Sequence, residues 1–238
     1  MKKSLGEAIV LAGGFGTRLR QVVSDVPKPM APMDDKGTPF LALVMHKLAE
    51  QGMSRVILSV GYMAEVIQKY FDNTFEGMTI DYVVEDSPLG TGGAVKKALG
   101  ICNEDNVFVL NGDTFLNVSL AELKQLHEST NADFTLVARE MSNFDRYGGL
   151  ALDESNRVIN FGEKEYCMHG YINGGVYCLR HDLIDDMKEE VFSLEKDFLE
   201  TKVDKLYVQA YKTNGYFIDI GIPADYSRAK LDFVNGGF

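Results

Sequence analysis

Near the amino terminus, Leu11-Ala12-Gly13-Gly14-Phe15-Gly16-Thr17-Arg18-Leu19 follows a short apolar run, and Pro27-Lys28-Pro29 comes shortly after it. Glycine lacks a Cβ and tolerates positive φ, so successive backbone N–H groups in such a loop can turn toward one point and form a concavity for anions. Arg18 and Lys28 add full positive charges, and the chemistry that combination suits is phosphate binding. No Gly-Lys-Ser/Thr follows, which excludes a Walker A loop, and Leu19 stands where a dinucleotide fingerprint places its last glycine. Gly13-x-x-Gly16 alone reads equally well as a strand-to-helix turn with a solvated arginine. Arg18 together with Pro-Lys-Pro favours the phosphate.

Two carboxylates complement these cations. Asn111-Gly112-Asp113 follows the apolar run Val107–Leu110, which places Asp113 at the carboxyl end of a buried strand, where ligands of open α/β sheets gather. Far along the chain, Phe217-Ile218-Asp219-Ile220-Gly221 sets a second carboxylate between apolar neighbours, a costly place for an unpaired charge. A shared Mg²⁺ would remove that cost, since Mg²⁺ takes hard oxygen ligands, keeps several waters and bridges phosphates. Taken singly, Asp113 also reads as a turn former or helix cap, and Asp219 as a partner for a basic group or backbone amides. Glu85 ends the run Asp81–Glu85 before Pro88-Leu89-Gly90-Thr91-Gly92-Gly93. A carboxylate there can accept a pair of hydrogen bonds from adjacent N–H donors of a ligand. Capping of the next turn, or pairing with Lys96 or Lys97, is the alternative.

The elements that must position these residues read as an α/β protein. Apolar strand-like runs at about 7–12, 55–60, 79–84, 106–110 and 133–138 alternate with amphipathic segments near 39–51, 62–73, 92–101 and 120–129. Thr38-Pro39 supplies a helix cap and a first-turn proline, and Ser119-x-x-Glu122 is a capping box. Beyond about residue 140 the runs Val158–Phe161, Tyr171–Leu179 and Leu206–Tyr211, broken by glycines and polar turns, predict a more β-rich half. The expectation is a mixed, mostly parallel sheet flanked by helices, in one domain spanning 1–238, with a first half over about 1–140 and a β-rich second half over about 141–238.

Bulk composition narrows the partners. The 238 residues are 45% hydrophobic and 25% charged, enough for a sizeable core. A formal net charge of -11 argues against nucleic acid or acidic membrane surfaces as partners, because both need a basic footprint. Three cysteines without C-x-x-C spacing indicate neither a disulfide framework nor a zinc knuckle, and fit a reducing cytoplasm. Met1-Lys2-Lys3 before Ala8–Ala12 superficially suggests an export signal, but the apolar run is too short, and no stretch approaches a membrane span. The four histidines lack metal-ligand spacing, and His46 falls in a helical apolar pattern that suits packing. A homo-oligomer is compatible with the sequence.

Leu-Ala-Gly-Gly-x-Gly-Thr-Arg-Leu with a downstream Pro-Lys-Pro resembles the signature of the sugar-1-phosphate nucleotidyltransferase family. Lys28-Pro29-Met30-Ala31-Pro32, Pro88–Gly93 and Asn143-Phe144-Asp145-Arg146-Tyr147-Gly148 extend the likeness across nearly the whole chain, toward the guanylyltransferases that use heptose 1-phosphate. The resemblance implies a fold of the GT-A type and a reaction joining GTP, or another nucleoside triphosphate, to a sugar 1-phosphate with Mg²⁺. It implies that Leu11, Gly13, Gly14, Gly16 and Thr17 hold the triphosphate, that Glu85, Gly90 and Thr91 meet the base, and that Asp113 and Asp219 ligate the metal. Arg18 and Lys28 would neutralise the departing pyrophosphate and Lys164 the acceptor phosphate, with Gly112, Tyr147, Gly148, Glu163 and Asn173 around the sugar. Two departures stand out: Lys164 is followed by Glu165 where many relatives have proline, and Phe217 stands where many have tryptophan.

Rival readings are a uridylyl- or thymidylyltransferase, a mannose-1-phosphate guanylyltransferase, a nucleotide-sugar sensor and a glycosyltransferase. Binding alone would not require Arg18, Lys28, Asp113, Asp219 and Lys164 together, and a glycosyltransferase would leave the glycine loop without a purpose.

Overall fold

The computed structural model describes residues 4–20 and 22–236; Met1-Lys2-Lys3 lie outside them. In chain order the strands are β1 (Glu7–Leu11), β2 (Arg55–Val60), β3 (Thr74–Phe75), β4 (Met78–Val84), β5 (Asn106–Asn111), β6 (Thr114–Leu116), β7 (Phe134–Phe144), β8 (Leu150–Leu152), β9 (Val158–Phe161), β10 (Cys167–Arg180), β11 (Val208–Thr213) and β12 (Phe217–Asp219). The helices are α1 (Phe40–Gln51), α2 (Ala64–Phe71), α3 (Gly90–Leu99), α4 (Leu120–Thr130), the short α5 (Glu200–Lys202) and α6 (Pro223–Val234). The alternation expected from the apolar runs is present, and the boundaries move for local reasons. Left-handed backbone at Met63 (φ 55) and Asp72 (φ 49) cuts α2 back at both ends. Pro39 lies in extended backbone immediately before α1, and the Thr38 hydroxyl donates to Asp34 at 2.8 Å, so the predicted threonine cap is not formed. Ser119 does cap α4, accepting the Glu122 N–H at 3.3 Å, whereas the Glu122 carboxylate accepts from the Tyr211 hydroxyl.

The residues group into two compact units whose boundaries differ from a division near residue 140. Among the described residues, the first comprises 4–20, 22–88, 110–117 and 216–236. Its sheet runs β1-β2-β4-β3, with β1, β2 and β4 parallel and β3 antiparallel to β4. Ala8, Ile9 and Val10 of β1, Val56–Leu58 of β2, and Phe40 and Met45 of α1 are fully buried and form its core. A separate two-stranded ribbon pairs β6 antiparallel to β12.

The second unit comprises 89–109 and 118–215. Here β10 pairs antiparallel and β11 parallel with β7, and β8 and β9 form a hairpin. Phe134, Leu136 and Tyr177 are buried at the centre of this packing. The register of β10 against β7 shifts between Asn173, which pairs with Ala138, and Tyr177, which pairs with Leu136, so a bulge follows Asn173 directly.

Candidate active site

β1 delivers Leu11 and Ala12 to the glycine loop, and the Ala12 N–H donates to Ser59 O at 2.8 Å, anchoring its start. Gly16 has φ +57, and a Cβ there would stand 2.6 Å from the Lys28 Cβ, so only glycine lets the loop lie against the Pro-Lys-Pro turn. A cavity of about 190 Å³ results, lined by Leu11, Gly14, Gly16, Thr17, Arg18 and Lys28 and also by Asp113. Arg18 is exposed and, among the described residues, makes no hydrogen bond or ion pair, so its charge is available to an anion. Gly13 serves a neighbouring contact: a Cβ there would fall 2.5 Å from Glu85 Oε1. Ser59 donates to that same carboxylate oxygen at 3.1 Å, which fixes Glu85 beside the loop.

The ribbon explains how two aspartates from opposite parts of the chain meet. Asp219 on β12 is in register with Thr114, the residue after Asp113, and the Ile220 N–H donates to Asp113 O at 3.1 Å. The Gly112 N–H bonds Leu11 O at 2.9 Å, which ties this corner to the glycine loop. Both side chains converge on one cation, with Lys28 Nζ donating to Asp113 Oδ2 at 2.6 Å and to Asp219 Oδ1 at 3.4 Å. The lysine side chain is only 10% exposed, so this contact is far less screened than a surface pair. Burial pushes the Asp219 carboxyl pKa up, and the nearby Asp113 carboxylate pushes it further. Lys28 and the Gly221 N–H, which donates to Asp219 Oδ1 at 2.7 Å, oppose that rise.

Two carboxylates against one ammonium leave an excess negative charge. Their oxygens already share a cation, and hard donors of this kind fit a divalent ion that completes its shell with water and phosphate oxygens. Among the described residues there is no cluster of three or more His, Cys, Asp or Glu side chains suited to holding a metal, so any ion here rests on this pair.

The remaining predicted residues lie in the second unit. The Gly162 N–H donates to Gly149 O at 2.7 Å, and Gly149 bridges to Ile172. These contacts bring Tyr147 and Gly148, the Phe161–Lys164 turn and Asn173 into one neighbourhood. Glu163 and Lys164 are exposed on that turn, and Arg146 lies over the Tyr147 ring at 5.6 Å. Gly90 and Thr91 open α3, where the Thr91 hydroxyl donates to Glu195 at 2.8 Å. Lys96, one alternative partner for Glu85, pairs with Glu190 instead. Sequence reasoning did not single out Glu195, Tyr177 or Ser59; Ser193, which caps the π-helical turn Leu194–Leu199 by accepting the Lys196 N–H at 3.2 Å, was the one local signal near Glu195. His46 holds Glu76 at 2.7 Å and packs on Phe75, far from ligand chemistry.

A loop of this kind at the end of the first parallel strand, with an exposed arginine and a lysine shared by two carboxylates, defines an α/β protein that handles phosphoryl groups. The chain belongs to the family described as Nucleotidyl transferase, whose model it matches over residues 7–235. It is 47% identical over 227 residues to the D-glycero-alpha-D-manno-heptose 1-phosphate guanylyltransferase of Aneurinibacillus thermoaerophilus, covering 95% of this chain and 97% of that one. It is 46% identical over 221 residues to the protein of the same name from Campylobacter jejuni subsp. jejuni serotype O:2, covering 92% and 96%. The crystal structure of HddC from Yersinia pseudotuberculosis complexed with GMP-PN superimposes with a TM-score of 0.82 at 38% identity, covering 96% of this chain and 99% of that one. The fold expected from the resemblance, mostly parallel sheet and flanking helices of the GT-A type, is therefore the fold observed.

Proposed function

We propose that the chain transfers GMP from GTP to D-glycero-α-D-manno-heptose 1-phosphate, releasing pyrophosphate and supplying GDP-heptose in the cytoplasm for surface polysaccharide. The observation that carries the transfer chemistry is the convergence of Asp113 and Asp219 on Lys28 beside a glycine loop with an exposed Arg18. The two guanylyltransferase relatives support guanine and the heptose acceptor.

In this reaction an oxygen of the sugar phosphate attacks the α-phosphorus of GTP, and the bond from that phosphorus to the β-phosphate's bridging oxygen breaks in line. Nucleotidyl transfer of this kind needs positioning and charge stabilisation rather than a protein nucleophile. Backbone N–H groups of Gly13, Gly14 and Gly16 cradle the triphosphate, while Thr17 and Leu11 line its seat. Arg18 and Lys28 take up the charge that accumulates on the leaving pyrophosphate. Asp113 and Asp219 are the residues that would hold Mg²⁺, which when bound supplies further positive charge to the phosphate oxygens. Glu85 accepts from the guanine N1–H and N2–H₂ edge, with Gly90 and Thr91 bounding the base. Lys164 orients the acceptor phosphate, and Gly112, Tyr147, Gly148, Glu163 and Asn173 hold the sugar.

A pyrophosphate-release screen tests the reading, pairing GTP, UTP, dTTP and ATP with heptose, mannose and glucose 1-phosphates in Mg²⁺. GTP with heptose 1-phosphate should give the highest kcat/KM. Preference for UTP or dTTP with glucose 1-phosphate would move the chain to the uridylyl- or thymidylyltransferases, and no release from any pair would leave a binding protein.

A further inference from the structure

Thr91 and Asn173, assigned above to different substrates, are joined through one carboxylate that neither assignment includes. Glu195 lies in the π-helical turn after Ser193. Its Oε2 accepts from Thr91 Oγ1 at 2.8 Å and from Ser193 Oγ at 3.1 Å. Its Oε1 accepts from the Tyr177 hydroxyl at 3.1 Å, and that hydroxyl accepts in turn from Asn173 Nδ2 at 3.0 Å. The Gly175 N–H donates to Asn173 Oδ1 at 3.0 Å, so the carboxamide is fixed at both ends and keeps one N–H for a ligand. Thr91 Oγ1 also accepts the Leu194 N–H at 2.9 Å, which closes the second arm.

Every bond in this chain has a direction. The amide and the three hydroxyls donate, and the Glu195 carboxylate ends the series by accepting from all three hydroxyls. Tyr177 is 1% exposed, and its phenol pKa is raised first by burial and then by the Glu195 charge, so it remains a donor. The bulge in β10 between Asn173 and Tyr177 lets Asn173 reach the hydroxyl four residues on.

We propose that Glu195 is a positioning residue: through Tyr177 it sets the Asn173 carboxamide for the sugar phosphate, and through Thr91 it holds the start of α3 on the nucleotide side. This role rests on the transferase reading above. A purely structural Glu195 would clamp residues 193–195 to α3 and leave substrate constants alone, which makes the two roles separable.

Tyr177→Phe keeps the buried ring and cuts only the Asn173 arm. Its KM for the sugar 1-phosphate should rise about tenfold while its KM for GTP stays within about twofold. Glu195→Gln retains size but replaces half the acceptor with a donor, and should raise both constants. Thermal unfolding of each variant reports whether it is folded. In ¹⁵N-labelled protein the Asn173 side-chain amide resonance should shift in Glu195→Gln, although the two residues share no direct bond. If wild-type protein turns over and Tyr177→Phe matches it, or shifts both KM values equally, the positioning role is wrong and the proposed function stands. An unmoved Asn173 resonance overturns the role in the same way. If the wild type releases no pyrophosphate in any pairing, the proposed function fails and this role fails with it.

Discussion

Lys28 is shared between two carboxylates, and the proposed reaction asks the same charge to meet a departing pyrophosphate. Removing it therefore acts twice, by withdrawing charge from the leaving group and by leaving Asp113 and Asp219 to repel each other. Lys28→Ala should lower kcat by about 10²- to 10³-fold, the scale of losing one preorganised stabilising group, with far-ultraviolet circular dichroism unchanged. Pyrophosphate release under saturating substrate checks it, and near-normal kcat would remove Lys28 from the mechanism. Glu85 makes a different demand, because Ser59 already donates to its Oε1 and the base must share that carboxylate. Glu85→Gln should cut the GTP over UTP ratio of kcat/KM by about tenfold, the cost of one mismatched buried donor. Equal ratios in variant and wild type would count against base contact. Both aspartates stand out in the sequence, Asp113 at the carboxyl end of an apolar run and Asp219 as a carboxylate between apolar neighbours. The ribbon that joins them does not, since β6 and β12 are three residues each and three residues carry no readable period.

At the level of elements, what the sequence could reveal divides by distance along the chain. The Ser119 cap of α4 needs only Glu122 N–H three residues on, and it was read correctly; Thr38 was misread because Asp34, in the preceding loop, takes its hydroxyl. The π-helical turn carrying Glu195 was invisible, since its register depends on Thr91, 104 residues away. His127, at the last turn of α4, shows the same dependence on distant partners. Its Nδ1 lies 2.8 Å from Thr135 Oγ1 on β7 and its Nε2 3.1 Å from Asn106 Oδ1 on β5. The Asn106 oxygen can only accept, so Nε2 carries the proton and Nδ1 accepts from Thr135. Burial lowers this imidazole pKa from 6.5 to about 4. Protons then bind the unfolded chain more tightly, so this contribution to stability is complete above the unfolded pKa and is lost as pH falls toward the folded one. Between pH 7.5 and 5 the loss should be about 2 kcal/mol. Urea unfolding of wild type and His127→Gln at both pH values checks it, and an equal pH dependence in the two proteins would exclude His127 as the source.

For the molecule as a whole, α/β class and element order were legible because periodicity is local, whereas the grouping into two units was not. That grouping depends on where the chain returns, with residues 110–117 and 216–236 rejoining the first unit, and no composition shift marks those points. Net charge, by contrast, is a property of the whole molecule that needs no structure. At -11 it sets up a field that repels both proposed substrates at long range, while Arg18 and Lys28 attract them only nearby, and Lys28 is already neutralised by Asp113 and Asp219. The Debye length shortens from about 30 Å at 0.01 M salt to about 8 Å at 0.15 M, which screens the distant repulsion before the local contact. Over that range kcat/KM for the sugar 1-phosphate should rise, in contrast to a protein whose basic surface steers anions. Initial rates in increasing KCl at fixed free Mg²⁺ measure this directly. A steady fall with salt would mean that the few cations at the glycine loop, and not the net charge, govern approach.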